Sequence, residues 1–399
     1  MKKLELTLKK SRDDSYQIHI GEGILDWTGM ALGKSGTVRR CVVVTDSAID
    51  ALHGERVQKA LEKAGLQIER IVLPPGEETK TIASVVAVSE RLISLGADRQ
   101  TLLVALGGGV IGDLTGFVAS LYMRGIPFVQ MPTTLLAQVD SSIGGKTGVD
   151  AASGKNILGS FYQPRGVFID IEFLQTLPDA IFRSGFAEVI KYGAIENPTL
   201  LKEIEKTAVK NGLRDSAFLT RIVAESCRIK KSVVELDERE GGLRRILNFG
   251  HTIGHAVEAT SGYKLSHGEA VAIGMAAAAR LSVKLHGLPA GDGEKIEAAI
   301  RAVGLPSMIP AGMDSDAILA KLSMDKKAEL NVRKAELNVH KAELNVRKAE
   351  LNVHKAELHV HKGGEKIINF VMIRRLGEPF VQGGIREEIL RETLEELSL

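Results

Sequence analysis

Residues 248 to 255 read Asn-Phe-Gly-His-Thr-Ile-Gly-His, and His267-Gly268-Glu269 follows closely, so three of the chain's ten histidines fall in one short stretch. A helix-like stretch carrying Arg244 runs just before them, and upstream lies another dense segment, Ala187-Glu188-Val189-Ile190-Lys191. Imidazoles gathered with a carboxylate are the donor set of a divalent metal, zinc above all. His251 and His255, four apart, share a helix face. Their spacing resembles the zinc pair of H-E-x-x-H without its glutamate. His267 and a carboxylate such as Glu188 would complete a three-ligand site with an open position. Spacing alone does not decide which two histidines bind, and it also allows His251 and His255 merely to cap and pack a helix.

A second chemistry is written earlier. Gly107-Gly108-Gly109-Val110-Ile111-Gly112-Asp113 follows an apolar run and reads G-x-G-x-x-G at a strand-to-helix turn. Such glycines let backbone approach a pyrophosphate, whose charge the helix N-terminus attracts. A dinucleotide site of the usual kind also wants an acidic residue about twenty positions on, and none stands between Asp113 and Asp140. The lysine of a P-loop is missing after these glycines as well. The pattern therefore points to a nucleotide held in an unusual way. Beyond it come Asp140-Ser141-Ser142-Ile143-Gly144-Gly145-Lys146-Thr147-Gly148 and Gly154-Lys155-Asn156. Lys146, Lys155 and Asn156 in glycine-rich surroundings suit an anionic substrate, with lysine acting as a point charge on phosphate. Metal plus nucleotide points to an enzyme.

The elements that must position these groups are legible. Apolar β-branched runs at Arg40 to Thr45, Ile68 to Leu73, Thr101 to Leu106 and Pro127 to Met131 alternate with helical patterns. That alternation predicts a parallel sheet with helices on both faces. From about residue 180 long helical periods dominate, as at Ala217 to Leu236 and Gly268 to Leu285, so a boundary falls near Pro178. The expectation is an α/β nucleotide-binding domain over 1–178 and a mainly α-helical metal-binding domain over 179–399. Net charge of +2 gives no basic surface for nucleic acid. Two cysteines, Cys41 and Cys227, lie far apart, which fits a reducing cytosol. Met1 to Leu6 alternates polar and apolar like a strand and lacks the apolar run of a signal peptide, and no stretch reads as a membrane span.

Several segments together, in order, carry a specific resemblance: Gly107 to Asp113, Arg124-Gly125, Pro132 to Asp140, Gly144 to Gly148, Ala187 to Gly193 and Leu247 to Thr252. From about residue 10 to 326, and again from Gly363, the chain resembles 3-dehydroquinate synthase, the second enzyme of the shikimate pathway. The resemblance implies a homodimer with its active site in a cleft between the two domains. It implies conversion of 3-deoxy-D-arabino-heptulosonate 7-phosphate to 3-dehydroquinate and phosphate, with NAD used catalytically and zinc or cobalt as the metal. It puts the metal on Glu188, His251 and His267, which moves His255 to the substrate site. Phosphate-side contacts fall on Lys146, Asn156, Asn248, His255 and the Lys326/Lys327 pair, with Arg124 coming from the partner subunit. Lys191, Lys230 and Arg244 would hold the substrate carboxylate and hydroxyls, with Asp140 near the reacting end. The nucleotide falls on Asp46, the turn Gly76-Glu77-Glu78-Thr79-Lys80, Gly108, Gly109, Asp113, Thr133, Thr134 and the stretch Phe173 to Thr176, with Lys146 and Lys155 also close. This would place ribose and adenine elsewhere on the sheet and account for the acid missing after the glycines.

Two departures stand out. Many relatives read Val-Asn-His-Pro where this chain has Val149-Asp150-Ala151-Ala152, a local change. The larger one is residues 327–361, five tandem copies of Lys-Ala-Glu-Leu-Asn-Val-Arg/His, with His359 replacing Asn in the last. An odd-length unit flips strand phase in every copy, and as a helix its leucine opposes its alanine and valine, so no single fold is written. His340, His354, His359 and His361 lack spacings that converge on a metal, and a solvated insertion is the plainer expectation. It begins at Lys327, beside a predicted phosphate contact, while loop-closure cost grows only slowly with length, so the fold is expected to survive it.

Overall fold

The computed structural model describes residues 13–34, 38–152, 154–329 and 368–398. The strand-like Met1 to Leu6 and the repeat copies from residue 330 onward lie outside them, while 327–329 are described only as the end of the helix Ser315–Glu329. The chain forms two compact units that interleave along the sequence. The first comprises Met1–His19, Ile24–Pro132 and Gly145–Ile169; the second comprises Ile20–Gly23, Thr133–Gly144 and Asp170–Leu399.

The first unit is built on a six-stranded sheet. Its strands are β1 (Gln17–Gly21), β2 (Arg40–Asp46), β3 (Gln67–Leu73), β4 (Leu102–Gly107), β5 (Phe128–Pro132) and β8 (Gly166–Asp170), in the order β1-β8-β5-β4-β2-β3. β2 pairs in parallel with β3 and β4, β4 with β5, and β5 with β8. Val42 to Val44 and Leu102 to Leu106 are buried without alternation, as strands covered on both faces must be. Strand order reverses between β2 and β4, and ligands of such sheets bind outside the carboxyl ends at the reversal. Asp46 closes β2 there and Gly107 closes β4. The helix Gly109–Leu121 follows at once, with Gly108 as its N-cap. A Cβ at Gly112 would meet the Gln130 amide at 2.8 Å, so the glycine holds helix against sheet. A hairpin, β6 (Lys146–Ala151) and β7 (Gly154–Phe161), carries the lysine-rich loop.

The second unit is mainly helical, with one hairpin of β9 (Asn369–Ile373) and β10 (Pro379–Gly383). Three helices matter for the site: the glutamate helix Asp179–Ile195, the histidine helix His251–Thr260 and the long helix His267–His286. They meet through glycines. Gly250 adopts φ +81 at the start of the histidine helix, the left-handed region that favours glycine. A Cβ at Gly274 would overlap the carbonyl oxygen of Gly250, and one at Gly268 would overlap the carbonyl of Ser184 in the glutamate helix.

Gly274→Ala sets two effects against each other. Helix propensity would favour alanine by about 1 kcal/mol, while forcing a methyl onto fixed backbone costs about 1–3 kcal/mol or more. Overlap should win, and chemical denaturation should show a less stable protein. A variant as stable as the parent would show that the two helices do not need this closeness.

Candidate metal and substrate site

Glu188 sits mid-helix, 1% exposed, with its two oxygens turned to different partners. Oε2 pairs with the Lys191 ammonium, one helical turn on. Oε1 lies 3.3 Å from His251 Nε2 and 3.7 Å from His267 Nε2. His251 heads the histidine helix, and its Nδ1 lies 3.3 Å from the Phe249 carbonyl. A neutral imidazole has one lone pair, so Nδ1–H pointed at a carbonyl leaves Nε2 as donor. His267 opens the long helix, whose start is fixed by a capping box: Ser266 Oγ accepts from Glu269 N, and the Glu269 carboxylate accepts from Ser266 N. Glu269, adjacent to the histidines in sequence, is thus a cap.

Glu188, His251 and His267 offer ligand atoms that all lie within 4.8 Å of one another. One carboxylate oxygen and two imidazole nitrogens fit zinc or cobalt, with a coordination position left open for a reacting group. The electrostatics agree. Burial raises the Glu188 carboxyl, but Lys191 and His251 outweigh it and hold it well below the usual range. Burial lowers the His267 imidazole, yet the carboxylates of Glu188 and Glu258 push it up to about 9. A proton there does what a metal ion would do, offsetting buried negative charge.

Beside this set stands Asp140, in a widened, π-helical turn over Ala137–Ser141. Its Oδ1 accepts from Tyr192 Oη at 2.6 Å, lies 2.8 Å from Lys230 Nζ and 3.8 Å from Lys191 Nζ. Burial pushes the Asp140 carboxyl up, but the two ammonium groups, Lys230 foremost, bring it down to about 2. The lysines diverge. Burial wins at Lys230 and lowers it; at Lys191 burial is outweighed by Glu188 and Asp140, which raise it. Arg244, also buried, donates to the carbonyls of Gly144 and Glu238. Asn248 Nδ2 donates to Glu240. His255 is exposed on the histidine helix, its ring 5.3 Å from that of His251. The His251–His255 pair read from spacing alone is therefore real as a shared face, but Glu188 gathers His251 with His267 instead. Tyr192 was missed as a site residue, although it belongs to the quoted segment Ala187 to Gly193 and lies one turn from Glu188. Glu258 was missed too.

The expected nucleotide residues of the first unit cluster around the sheet's carboxyl ends. Asp46 Oδ1 accepts from Ala48 and Ile49 N, capping a short helix. Gly76 takes φ +103 before the Glu77–Thr79 turn. Lys80 is buried and donates to Asp113 at 2.7 Å and to Asn156 Oδ1 at 2.5 Å, tying the glycine-loop helix to the β6/β7 hairpin. Lys146, Lys155 and Arg124 lie exposed in the first unit. In the second unit, Thr133 and Phe173 are buried, Thr134 Oγ1 accepts from Ala137 N, and Thr176 Oγ1 donates to the Phe173 carbonyl. Lys326 lies in the helix Ser315–Glu329, and its side chain falls outside the described residues.

Residues 70–184 match the family model for the 3-dehydroquinate synthase N-terminal region, and 185–328 match its C-terminal region. A 3-dehydroquinate synthase from Synechococcus sp. is 48% identical over 323 residues, spanning 79% of this chain and 87% of the relative. One from Geobacter metallireducens is 48% identical over 317 residues, spanning 79% and 88%. The chain belongs to the 3-dehydroquinate synthase family. It is an enzyme, a carbon–oxygen lyase. The solved 2-epi-5-epi-valiolone synthase of Streptomyces hygroscopicus, with NAD+ and Zn2+ bound, shares the fold of this 3-dehydroquinate synthase family member at TM-score 0.82 and 23% identity, covering 98% of this chain and 99% of that one. A 2-deoxy-scyllo-inosose synthase complexed with carbaglucose-6-phosphate, NAD+ and Co2+ aligns at TM-score 0.78 and 25% identity, covering 95% and 96%.

Asp140→Asn would leave two largely buried ammonium groups short of their shared counter-charge. The Asp140 side chain keeps 26% exposure, which lets water relieve part of that cost. We expect a loss of about 2–3 kcal/mol of stability by denaturant titration, with Tyr192→Phe losing about 1–2 kcal/mol. Unchanged stability in both would show that the charge cluster is not coupled to folding.

Proposed function

We propose that this chain converts 3-deoxy-D-arabino-heptulosonate 7-phosphate to 3-dehydroquinate and phosphate, using NAD+ and one divalent ion, zinc or cobalt. The observation that carries the metal half is Glu188 Oε1 facing the Nε2 atoms of both His251 and His267. In the reaction the C5 hydroxyl is oxidised to a ketone, the neighbouring C–H so acidified is lost together with the phosphate, the ketone is reduced again, and the opened ring closes by an aldol step. When bound, NAD+ supplies a hydride acceptor that is regenerated each turnover, and the divalent ion supplies Lewis acidity at the C5 oxygen.

The chain's own residues divide the remaining work. Glu188, His251 and His267 hold the ion. Lys191, Lys230 and Arg244 hold the substrate carboxylate and hydroxyls; Arg244 is fixed in direction by the carbonyls it already binds. Asp140, kept ionised by its two lysines, fixes their ammonium groups near the reacting end. Lys146, Asn156, Asn248, His255 and Lys326 serve the phosphate, which can itself accept the proton lost with it, and Lys155 approaches the nucleotide. The Lys80–Asp113–Asn156 chain orients the anion-binding hairpin while the Gly108–Gly109 turn receives the pyrophosphate. Asp46, Gly76, Glu77, Thr133, Thr134, Phe173 and Thr176 complete the nucleotide contacts. We place the protein in the cytoplasm, where its buried free cysteines Cys41 and Cys227 stay reduced; among the described residues no helix is long and apolar enough to cross a membrane.

A homodimer is part of the proposal. Ile157, Leu158 and Phe161 of β7 are exposed, as are Leu121 and Met123 just before Arg124. The Ser160 and Ser120 hydroxyls, 2.9 Å apart, bring β7 and the end of the helix Gly109–Leu121 together at one edge of the first unit. A second copy would cover it and bring Arg124 to its partner.

Purified protein given the substrate, trace NAD+ and zinc should release phosphate with no net rise in NADH absorbance, and a chelator should abolish the release. Stoichiometric NADH would mark a polyol dehydrogenase instead. Analytical ultracentrifugation should show a dimer that Ile157→Asp converts to monomer; a parent protein that sediments as a monomer would overturn the dimer.

A further inference from the structure

The imidazole of His267 has a second face. Its Nδ1 lies 3.7 Å from Oε2 of Glu258, a residue of the histidine helix whose side chain is only 7% exposed. The neighbouring set His255, Glu258 and His267 also brings ligand atoms within 4.8 Å, so His267 stands between two candidate groupings. A neutral imidazole cannot serve both: one nitrogen offers the lone pair and the other keeps its proton. Glu188 settles the choice, because its Oε1 already collects Nε2 of His251 together with Nε2 of His267. The proton then falls on Nδ1 of His267, where Glu258 waits as acceptor. His251 repeats the arrangement with the Phe249 carbonyl on its Nδ1. The two ligand imidazoles thus differ in one respect: one is backed by a neutral carbonyl, the other by a buried carboxylate.

We propose that Glu258 is a positioning residue for the metal: it takes the Nδ1–H of His267, fixes the tautomer that presents Nε2, and raises that nitrogen's basicity toward the ion without binding the ion itself. A carboxylate behind a ligand histidine orients the ring and strengthens its donation, and its loss typically weakens metal binding about 10–100-fold. At 3.7 Å the two atoms face each other just beyond hydrogen-bond distance, so in this proposal metal binding at Nε2 draws Nδ1–H onto the carboxylate. The inference rests on the metal reading above and deepens it.

The test uses the full chain as wild type, Glu258→Gln and Glu258→Ala, each stripped with a chelator and titrated with Co2+ while the visible cobalt bands are followed, then with Zn2+ against a chromophoric chelator. Affinity should fall about 10–100-fold in Glu258→Ala and by a smaller factor, at least about threefold, in Glu258→Gln, which keeps an acceptor oxygen but not the charge. At saturation the cobalt spectrum should be the same in all three, since the ligands are unchanged. Melting of the metal-free proteins separates folding from binding: a merely structural Glu258 would lower that melting temperature and leave metal affinity intact. If the alanine variant fails to fold, the glutamine variant decides. Affinities within about twofold of wild type in the folded variants, or a saturated cobalt spectrum that changes with Glu258, would overturn the inference. Wild-type protein that binds neither ion would overturn the metal reading itself.

Discussion

Burying the carboxylate of Glu188 is the constraint on which the site depends. An ionised group taken from water costs several kcal/mol unless its charge is met, and this one is 1% exposed. Lys191 meets one oxygen and the two imidazoles meet the other. The lysine passes the demand on, because it is itself buried and is held charged by Glu188 and Asp140 together. Asp140 in turn draws in Lys230 and Tyr192. Charges alternate from Glu188 through Lys191 and Asp140 to Lys230, so removing any member leaves a neighbour uncompensated. Such an arrangement is stiff, and stiffness is what a site needs when a carbonyl must be polarised and a neighbouring proton lost in one place.

Holding three helices close enough to share one carboxylate is a packing problem, and glycine solves it. Gly250, Gly268 and Gly274 stand where any side chain would strike the backbone of an adjoining helix. Their cost in helix propensity is about 1 kcal/mol each, offset by backbone approach that brings His251 and His267 to Glu188. The first unit uses the same device, with Gly112 letting the glycine-loop helix rest on the Gln130 side chain. In both units glycine positions chemistry by closeness, and Gly250 adds the left-handed turn that begins the histidine helix.

Much of this was legible in the chain. The runs Arg40 to Thr45, Thr101 to Leu106 and Pro127 to Met131 are strands to within a residue or so, because buried parallel strands are written as nearly unbroken apolar segments. Ile68 to Leu73 is a strand too, but at the sheet's edge, where Glu69 and Arg70 interrupt the apolar run. Ala217 to Leu236 and Gly268 to Leu285 are helices for the reason their periods suggest. Spacing found the histidines but not their grouping. His251 and His255 do share a face, yet the carboxylate that selects His267 lies on a helix far upstream, and no local period records that approach. Family resemblance supplied the trio that the geometry brings together. Tyr192 and Glu258 escaped because each looks like an ordinary helical residue until its partner, Asp140 or His267, is placed in space. Arg244 shows a different limit: its partners are the carbonyls of Gly144 and Glu238, which carry no side-chain signature.

The site is built for a single ion held by one carboxylate and two imidazoles. X-ray absorption at the zinc edge of the loaded protein reads that coordination directly. It should show only nitrogen and oxygen neighbours at about 2.0–2.1 Å, with the multiple-scattering signature of two imidazoles. Three imidazoles, which would bring His255 onto the metal, or any sulfur neighbour would contradict the site built on Glu188, His251 and His267.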